Sequence, residues 1–328
     1  MIYSVKLLKA SSNVLGVHKE KKGRMCGIGG IMYKKRPAAG SAPIGQELVK
    51  MLDSLAHRGR DSTGITVAGE DLAEDLIVRV WCGGDGSVDR LLASAEEAVM
   101  RVGGVIRGRS KVGGSLRLTV NYEGEVPDLA NALVETEGIE VHSIGQRSEV
   151  VKDVGTATQL DSVHDLSSLK GTHGIGHVRM ATESKVDISH AHPFWAFPFP
   201  DVTVVHNGQL TNYHKLRRAY EDLGHRFQTG NDSELIAVYL AERLSRGQAL
   251  DAALEDSVDD LDGTFTYLVS TRDGLGYAKD QWSAKPLVAM ETDDVVALAS
   301  EEIALRSVFS EEIRRSEPQE RESKTWAV

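Results

Sequence analysis

Cysteine is almost missing from this chain: only Cys26 and Cys82 occur in 328 residues. Two thiols cannot build a disulfide framework or an all-cysteine metal site, and such sparing use fits the reducing cytoplasm. Positive charge is also short, with Lys+Arg 38 against Asp+Glu 48 and a net charge of −10. An acidic chain is poorly suited to sequence-independent binding of nucleic acid or anionic lipid, since both need a basic surface that neutralises phosphate. No apolar run approaches the roughly 20 residues of a spanning helix. Repeats, heptads and low-complexity segments are absent too. What is there, 41% hydrophobic and 26% charged residues, is the balance of a globular protein with enough sequence to bury a core.

Residues 1–25 stand apart, carrying Lys6, Lys9, Lys19, Lys21, Lys22 and Arg24 against the single acid Glu20. A secretory signal places its charge before an apolar stretch of about 7–15 residues. Here the densest charge comes last and the apolar patch at Val14–Val17 is too short, so a signal peptide is rejected. A basic tail, a removable pro-segment or an upstream start-site artefact remain. The expectation is a mature chain that begins at Cys26.

From Cys26 onward short strands alternate with amphipathic helices. Ile44, Leu48, Met51, Leu52 and Leu55 recur at helical spacing. Leu76–Trp81 reads as a buried strand, followed by a glycine-rich turn and a helix over Val88–Val102. Leu116, Leu118, Val120 and Tyr122 alternate as in a half-buried strand. A helix through Leu129–Glu135 and an extended stretch near Val141–Ile144 come next. Val202–Val205 is strand-like and runs into His206-Asn207-Gly208, read as a turn. Helices are expected over Tyr213–Leu223 and from Asp232 to Leu244, and strands at Phe265–Val269, Leu287–Met290 and Val295–Ala299. The mixture predicts an α+β fold. The span 66–175 separates two motif-bearing segments, and its βαβ-like pattern suggests an inserted subdomain.

A cysteine motif and six ordered motifs downstream of it stand out. Met25-Cys26-Gly27-Ile28-Gly29-Gly30 heads a strand. His57-Arg58-Gly59-Arg60-Asp61-Ser62, Gly176-His177-Val178-Arg179-Met180-Ala181-Thr182 and Ala191-His192-Pro193 come after it, then Val205-His206-Asn207-Gly208 through Tyr213, Asn231-Asp232-Ser233-Glu234 and Lys285-Pro286-Leu287. Singly each has a plain structural reading. A lone cysteine is usually a buried small hydrophobe, Asn-Gly is a common turn pair, and Asp232 suits a helix N-cap. His57, His177, His192 and His206 lack the spacing and acidic company of a zinc site and read as structural polar residues, so no metal is expected. Gly83–Ser87 lacks the spacing of a phosphate loop.

Taken together and in this order, the motifs resemble the class II glutamine amidotransferases over essentially all of residues 26–328. The resemblance implies an N-terminal-nucleophile hydrolase fold, a four-layer αββα sandwich. It implies hydrolysis of the glutamine side-chain amide, with Cys26, Asn207 and Gly208 as catalytic residues. Arg179, Asp232, Thr182 and His192 are expected to bind substrate, with Arg58, Asp61 and Ser62 supporting them. The chemistry suits these types. A thiolate attacks, and a free α-amino group on the same cysteine, with a pKa of about 7.7–8.0, can act as its base. The Asn207 amide and Gly208 N–H can hold the oxyanion. Arg179 can clamp the α-carboxylate in two-pronged fashion, and Asp232 can hold the α-ammonium.

Arg60 stands where many members have proline, and Met180, Glu183 and Ser184 depart from the sugar-amidating branch. The stretches 180–184, 190–194, 150–155, 171–174 and 261–266 instead look like the glutamate-synthase-like, stand-alone branch that includes the amidotransferase subunit of N-methylglutamate synthase. The stretch after Lys285-Pro286-Leu287 is too short for a sugar-isomerase, phosphoribosyltransferase or ATP-pyrophosphatase domain. The expectation is a glutaminase subunit with no cofactor of its own. FMN and iron–sulfur centres, together with a glycine-repeat domain, would belong to partner synthase subunits. A non-catalytic glutamine- or glutamate-binding subunit and a free-standing glutaminase are the alternatives.

Overall fold

The computed structural model describes residues 26–35, 41–83, 88–180, 186–310 and 314–328. The expectations for residues 1–25, for Thr182 and for most of the 83–87 turn lie outside the described residues.

The chain enters the fold through β1 (Gly27–Tyr33), buried along nearly its whole length, and α1 (Ile44–Ser54). Ile44, Leu48, Met51 and Leu52 of α1 form one fully buried stripe, as their spacing predicts. Next come β2 (Ser62–Ala68), β3 (Asp75–Cys82), α2 (Val88–Arg101), β4 (Val105–Val112), β5 (Ser115–Asn121), α3 (Val126–Val134) and β6 (Ile139–Gly145). The middle of the chain is β7 (Ser148–Val154), α4 (Ala157–His164), β8 (His173–Arg179), β9 (Phe194–Trp195) and β10 (Thr203–Leu210). Three helices come after these, α5 (Tyr213–Asp222), α6 (Asp232–Ser245) and α7 (Leu250–Asp260). The chain closes with β11 (Gly263–Ser270), β12 (Gly274–Lys279), β13 (Val288–Glu291), β14 (Val295–Ala299), α8 (Glu302–Arg306), β15 (Arg315–Ser316) and β16 (Ser323–Ala327).

Two antiparallel sheets stack face to face. One runs β15-β13-β14-β1-β8-β2-β7 and the other β16-β12-β11-β10-β9. Ile28, Met32 and Ile175 of the first meet Val205, Leu268 and Tyr277 of the second in the layer between them. α1, α4 and α8 pack on the outer face of the larger sheet, and α6 and α7 cover the smaller one. The order is therefore α/β/β/α. Each sheet is apolar on both faces, which is why buried strands such as Val295–Ala299 carry no polar alternation.

A third sheet, β4-β5-β3-β6, stands by itself with α2 and α3 on one side. Its pairings are antiparallel throughout, so the βαβ-like expectation is corrected: the unit is a βαββαβ plait covering 75–145. Within 66–175, β7 and β8 both hydrogen-bond to β2 and belong to the main sheet. The turn expected at Asn207-Gly208 is also corrected. β10 continues through both residues to Leu210, paired with β11 in register Asn207↔Thr266 and Gly208↔Phe265. Gly208 takes φ +144 there, so the glycine serves a distortion inside a strand rather than a hairpin end.

Candidate active site at the sheet ends

Register brings the motifs together. β1 and β8 pair with Gly27 opposite Val178, so Cys26 and Arg179, one residue further out on each strand, share one end of the sheet. Ser62 of β2 lies opposite Arg179 on the other side. Asp61 N–H donates to the Arg179 carbonyl at 3.0 Å and its own carbonyl accepts from Gly155 N–H at 2.9 Å. The His57–Ser62 segment is thereby tied down beside the end of β8.

Cys26 is half-buried. Its carbonyl oxygen accepts from Arg58 Nε at 2.9 Å and from Asn207 Nδ2 at 3.0 Å. Arg58, itself 8% exposed, donates through Nη1 to Glu301 Oε1 at 2.5 Å, and His57 Nε2 lies 3.0 Å from Glu301 Oε2. The Met180 N–H points at Cys26 Sγ from 3.5 Å. Burial pushes the Cys26 thiol up; the Met180 N–H and the Arg179 and Arg58 charges draw it back only in part. The thiol therefore needs a base to become a nucleophile.

Asp232 opens α6 but does not cap it, so the plain structural reading of this residue is replaced. Asn231 is the N-cap, its Oδ1 accepting from Ser233 N–H at 2.8 Å. That leaves Asp232 as the first helical residue, with Oδ2 accepting from Leu210 N–H at 3.0 Å and Oδ1 3.5 Å from His206 Nδ1. Burial alone would raise its pKa, but His206 and the N–H groups of Leu210 and Ser233 outweigh it and hold it below the usual carboxylate range. Asp232 is thus an anion at neutral pH at the foot of the site.

Behind these groups lies a layer of buried imidazoles. His192 stacks on His177 with ring centroids 4.0 Å apart, and its Nε2 lies 2.8 Å from Ser233 Oγ. His206 Nδ1 is 3.1 Å from the same hydroxyl, and His177 Nε2 reaches the His206 carbonyl at 3.2 Å, joining the two sheets. Burial pushes His177 down to about 3 and, with the neighbouring His177 and His206, keeps His192 well below its ordinary value. Both rings are neutral, and His192 acts on α6 through Ser233. The structure thus gathers Cys26, Arg58, Asp61, Ser62, Arg179, His192, Asn207, Gly208 and Asp232. Ser62 is fully buried with no hydrogen bond to its hydroxyl among the described residues. Glu301 and Ser233 escaped sequence reasoning; Ser233 at least sits inside the Asn231–Glu234 motif. Among the described residues no group of three or more His, Cys, Asp or Glu side chains could hold a metal, and no helix is long and apolar enough to cross a membrane.

A family profile for a glutamine amidotransferase domain matches residues 177–307. A protein of Methanothermobacter thermautotrophicus, provisionally named a glutamine amidotransferase, is 38% identical over 302 residues, 90% of this chain and 98% of its own. The chain belongs to the class II glutamine amidotransferases. The glutamine amidotransferase-like protein GlxB of Rhizobium meliloti is 34% identical over 86% of this chain and 91% of that protein. The amidophosphoribosyltransferase of Methanocaldococcus jannaschii is 31% identical, over only 54% of this chain and 38% of the relative. In fold, the chain is similar to the glutamine phosphoribosylpyrophosphate amidotransferase of B. subtilis, with a TM-score of 0.56 at 20% identity over 92% of this chain. It spans about half of that solved chain, 49%. The α/β/β/α arrangement of this amidotransferase is accordingly the N-terminal-nucleophile hydrolase fold.

Proposed function

We propose that this class II amidotransferase is a glutaminase subunit that works through a Cys26 thioester and supplies ammonia or a glutamyl group to partner synthase chains. The observation that carries the reading is the double clamp on the Cys26 carbonyl by Arg58 and Asn207. It fixes the cysteine backbone at the sheet end where Arg179 and the Asp232 anion also lie. In this scheme Cys26 Sγ attacks the amide carbon of glutamine while the free α-amino group of Cys26 takes the thiol proton. The Asn207 amide and the Gly208 N–H receive the oxyanion. The C–N bond breaks, the proton passes to the nitrogen, and ammonia leaves. Water then cleaves the thioester to glutamate and restores the thiol. Arg179 and Asp232 grip the α-carboxylate and α-ammonium, His192 holds Ser233 beside Asp232, and the motif resemblance assigns Thr182 to substrate binding.

The synthase context, of the glutamate-synthase or N-methylglutamate-synthase kind, with FMN and iron–sulfur centres in partner chains, rests on the motif resemblance. The deciding experiment measures glutamate release from glutamine by the native chain, alone and with candidate synthase subunits, beside the intact mass of the active species. The expected result is an N-terminus at Cys26 and weak hydrolysis that partners accelerate. Full activity with residues 1–25 attached refutes the α-amino base. A second reading, a glutamine-binding subunit without turnover, draws on the raised Cys26 thiol. It predicts glutamine binding with no glutamate formed.

A further inference from the structure

Where the inserted βαββαβ unit meets the main body lies a cavity of about 390 Å³ that shares no residue with Cys26, Arg179, Asn207 or Asp232. Phe194, Trp195 and Phe227 give it an aromatic wall, and Glu140 and His142 of β6 face Lys152 of β7 across it. These three polar groups take no part in glutamine hydrolysis. Lys152 is 4% exposed and His142 3%. The Lys152 ammonium lies 3.5 Å from Glu140 Oε1 and 5.2 Å from the Phe194 ring centroid. Glu140 Oε2 accepts from Ser189 Oγ at 2.5 Å. His142 Nε2 is buried and makes no hydrogen bond among the described residues, lying 3.4 Å from Glu140 Oε1. Glu234, the other carboxylate on the wall, is fully used by the N–H groups of Gln228 and Thr229 and the Thr229 hydroxyl.

A buried ion pair at such a long separation, beside an unsatisfied imidazole nitrogen, is poor structural cement. An apolar replacement would hold the seam at least as well. The same three groups suit a ligand. Lys152 and Glu140 cancel, and the Glu234 carboxylate is met by three donors of its own, so a ligand with net charge would leave that charge uncompensated beside these buried groups. A ligand carrying both signs is complementary, its carboxylate on Lys152 Nζ and His142 Nε2–H and its ammonium on Glu140. The volume falls within the usual range for small-molecule sites, about 300–1,000 Å³, and the aromatic wall favours an apolar side chain. We propose that this cavity is a second ligand site of the amidotransferase, which takes a free apolar α-amino acid as its zwitterion. Occupancy would be felt at the glutamine site, because Phe194 stands edge-on to His192 at 4.8 Å and His192 bonds Ser233 next to Asp232.

The test is calorimetric titration of L-phenylalanine into the full-length Cys26→Ala chain, with L-glutamine saturating its own site. Glutamine is titrated first, so a failed glutaminase reading shows separately from a failed second site. The expected result is one further equivalent of phenylalanine bound. 3-Phenylpropionate and phenethylamine, which each lack one charge, should bind at least about tenfold more weakly. The neutral-pair variant Lys152→Met/Glu140→Gln should also lose at least about tenfold while keeping the circular dichroism of the parent. Should that variant not fold, His142→Phe serves in its place. No saturable heat at millimolar phenylalanine, equal binding of the singly charged analogues, or unchanged affinity in a folded variant overturns the proposal. In a separate incubation with the chain carrying Cys26, phenylalanine recovered intact after glutamine turnover marks an effector, and its conversion marks an acceptor; both uphold the site.

Discussion

Replacing Gly208 by alanine tests both the strand geometry and the oxyanion site. A Cβ at this position would lie 2.0 Å from the Thr264 carbonyl oxygen and 2.8 Å from Phe265 Cα. Ordinary contact begins at 3.4 Å, so the shortfall to Thr264 is 3.4 − 2.0 = 1.4 Å. Neither obstacle is a side chain that can swing away; both belong to the paired backbone of β11. The φ of +144 adds a strain of about 1–3 kcal/mol for any residue with a Cβ. Forcing the strands apart adds about 1–3 kcal/mol more, as overpacking does in other cores. Displacing Asn207 from the Cys26 carbonyl loses a further hydrogen bond, about 1 kcal/mol. Together these predict a destabilisation of about 3–7 kcal/mol.

Gly224→Ala is the matched control, because φ is +93 there but nothing lies within 4 Å of the added atom. Only strain of about 1–2 kcal/mol is expected. Urea denaturation followed by circular dichroism reads both. With a slope of about 3 kcal/mol/M, the Gly208 variant should lose about 1 M or more of midpoint and the Gly224 variant about 0.7 M or less. Glutamine hydrolysis by Gly208→Ala should fall by about 10²-fold or more, the usual effect of losing an oxyanion donor. Equal midpoint shifts in the two variants, as a solvent-facing Asn-Gly turn would give, refute the strand geometry.

Cys26→Ala and Cys26→Ser should abolish glutamate release, and Cys82→Ala should retain it. A glutamine-analogue electrophile should label Cys26 alone, since Cys82 is fully buried and its thiol is pushed up to about 11; equal labelling of both refutes the assignment. Arg179→Lys should raise KM for glutamine, because an ammonium cannot reproduce the two-pronged guanidinium. Asn207→Ala should instead lower kcat, and a change in KM alone would count against its oxyanion role. Acid should destabilise the fold early. Burial pushes His142 and His173 down to about 4 and His177 to about 3, so the unfolded chain binds more protons than the folded one below its ordinary histidine pKa of about 6.5. Stability is therefore complete above pH 7 and falls with pH from about 6.5 toward 4, by up to about 1.4 kcal/mol per pH unit for each imidazole. Urea midpoints flat between pH 7 and 5 would refute it.

Features visible in the sequence were those written in neighbouring residues. The buried stripe of α1 needs only Ile44, Leu48, Met51 and Leu52 at helical spacing, and the alternation at Leu116, Leu118 and Val120 marks β5 without reference to any partner. β4 was invisible for the converse reason. It is an edge strand exposed along most of its length, so Arg107, Arg109 and Lys111 erase the apolar alternation that would reveal it. Missing β4 turned an antiparallel βαββαβ plait into an expected βαβ pattern. The Asn207-Gly208 misreading has a different origin. Local chemistry gives an Asn-Gly pair its turn preference, but pairing of β10 with β11 on one side overrides that preference. The site depends still more on distant partners. Cys26 and Arg179 become neighbours because β1 and β8 pair in one register, and a slip of one residue would send either side chain to the opposite face. Glu301 fixes Arg58 across a separation of 243 residues, and nothing beside it in the chain announces that bond. Order of motifs supplied the site's membership, while strand register supplies its geometry. Substitutions at register-setting positions such as Gly208 should therefore impair glutamine hydrolysis even though they remove no reactive group.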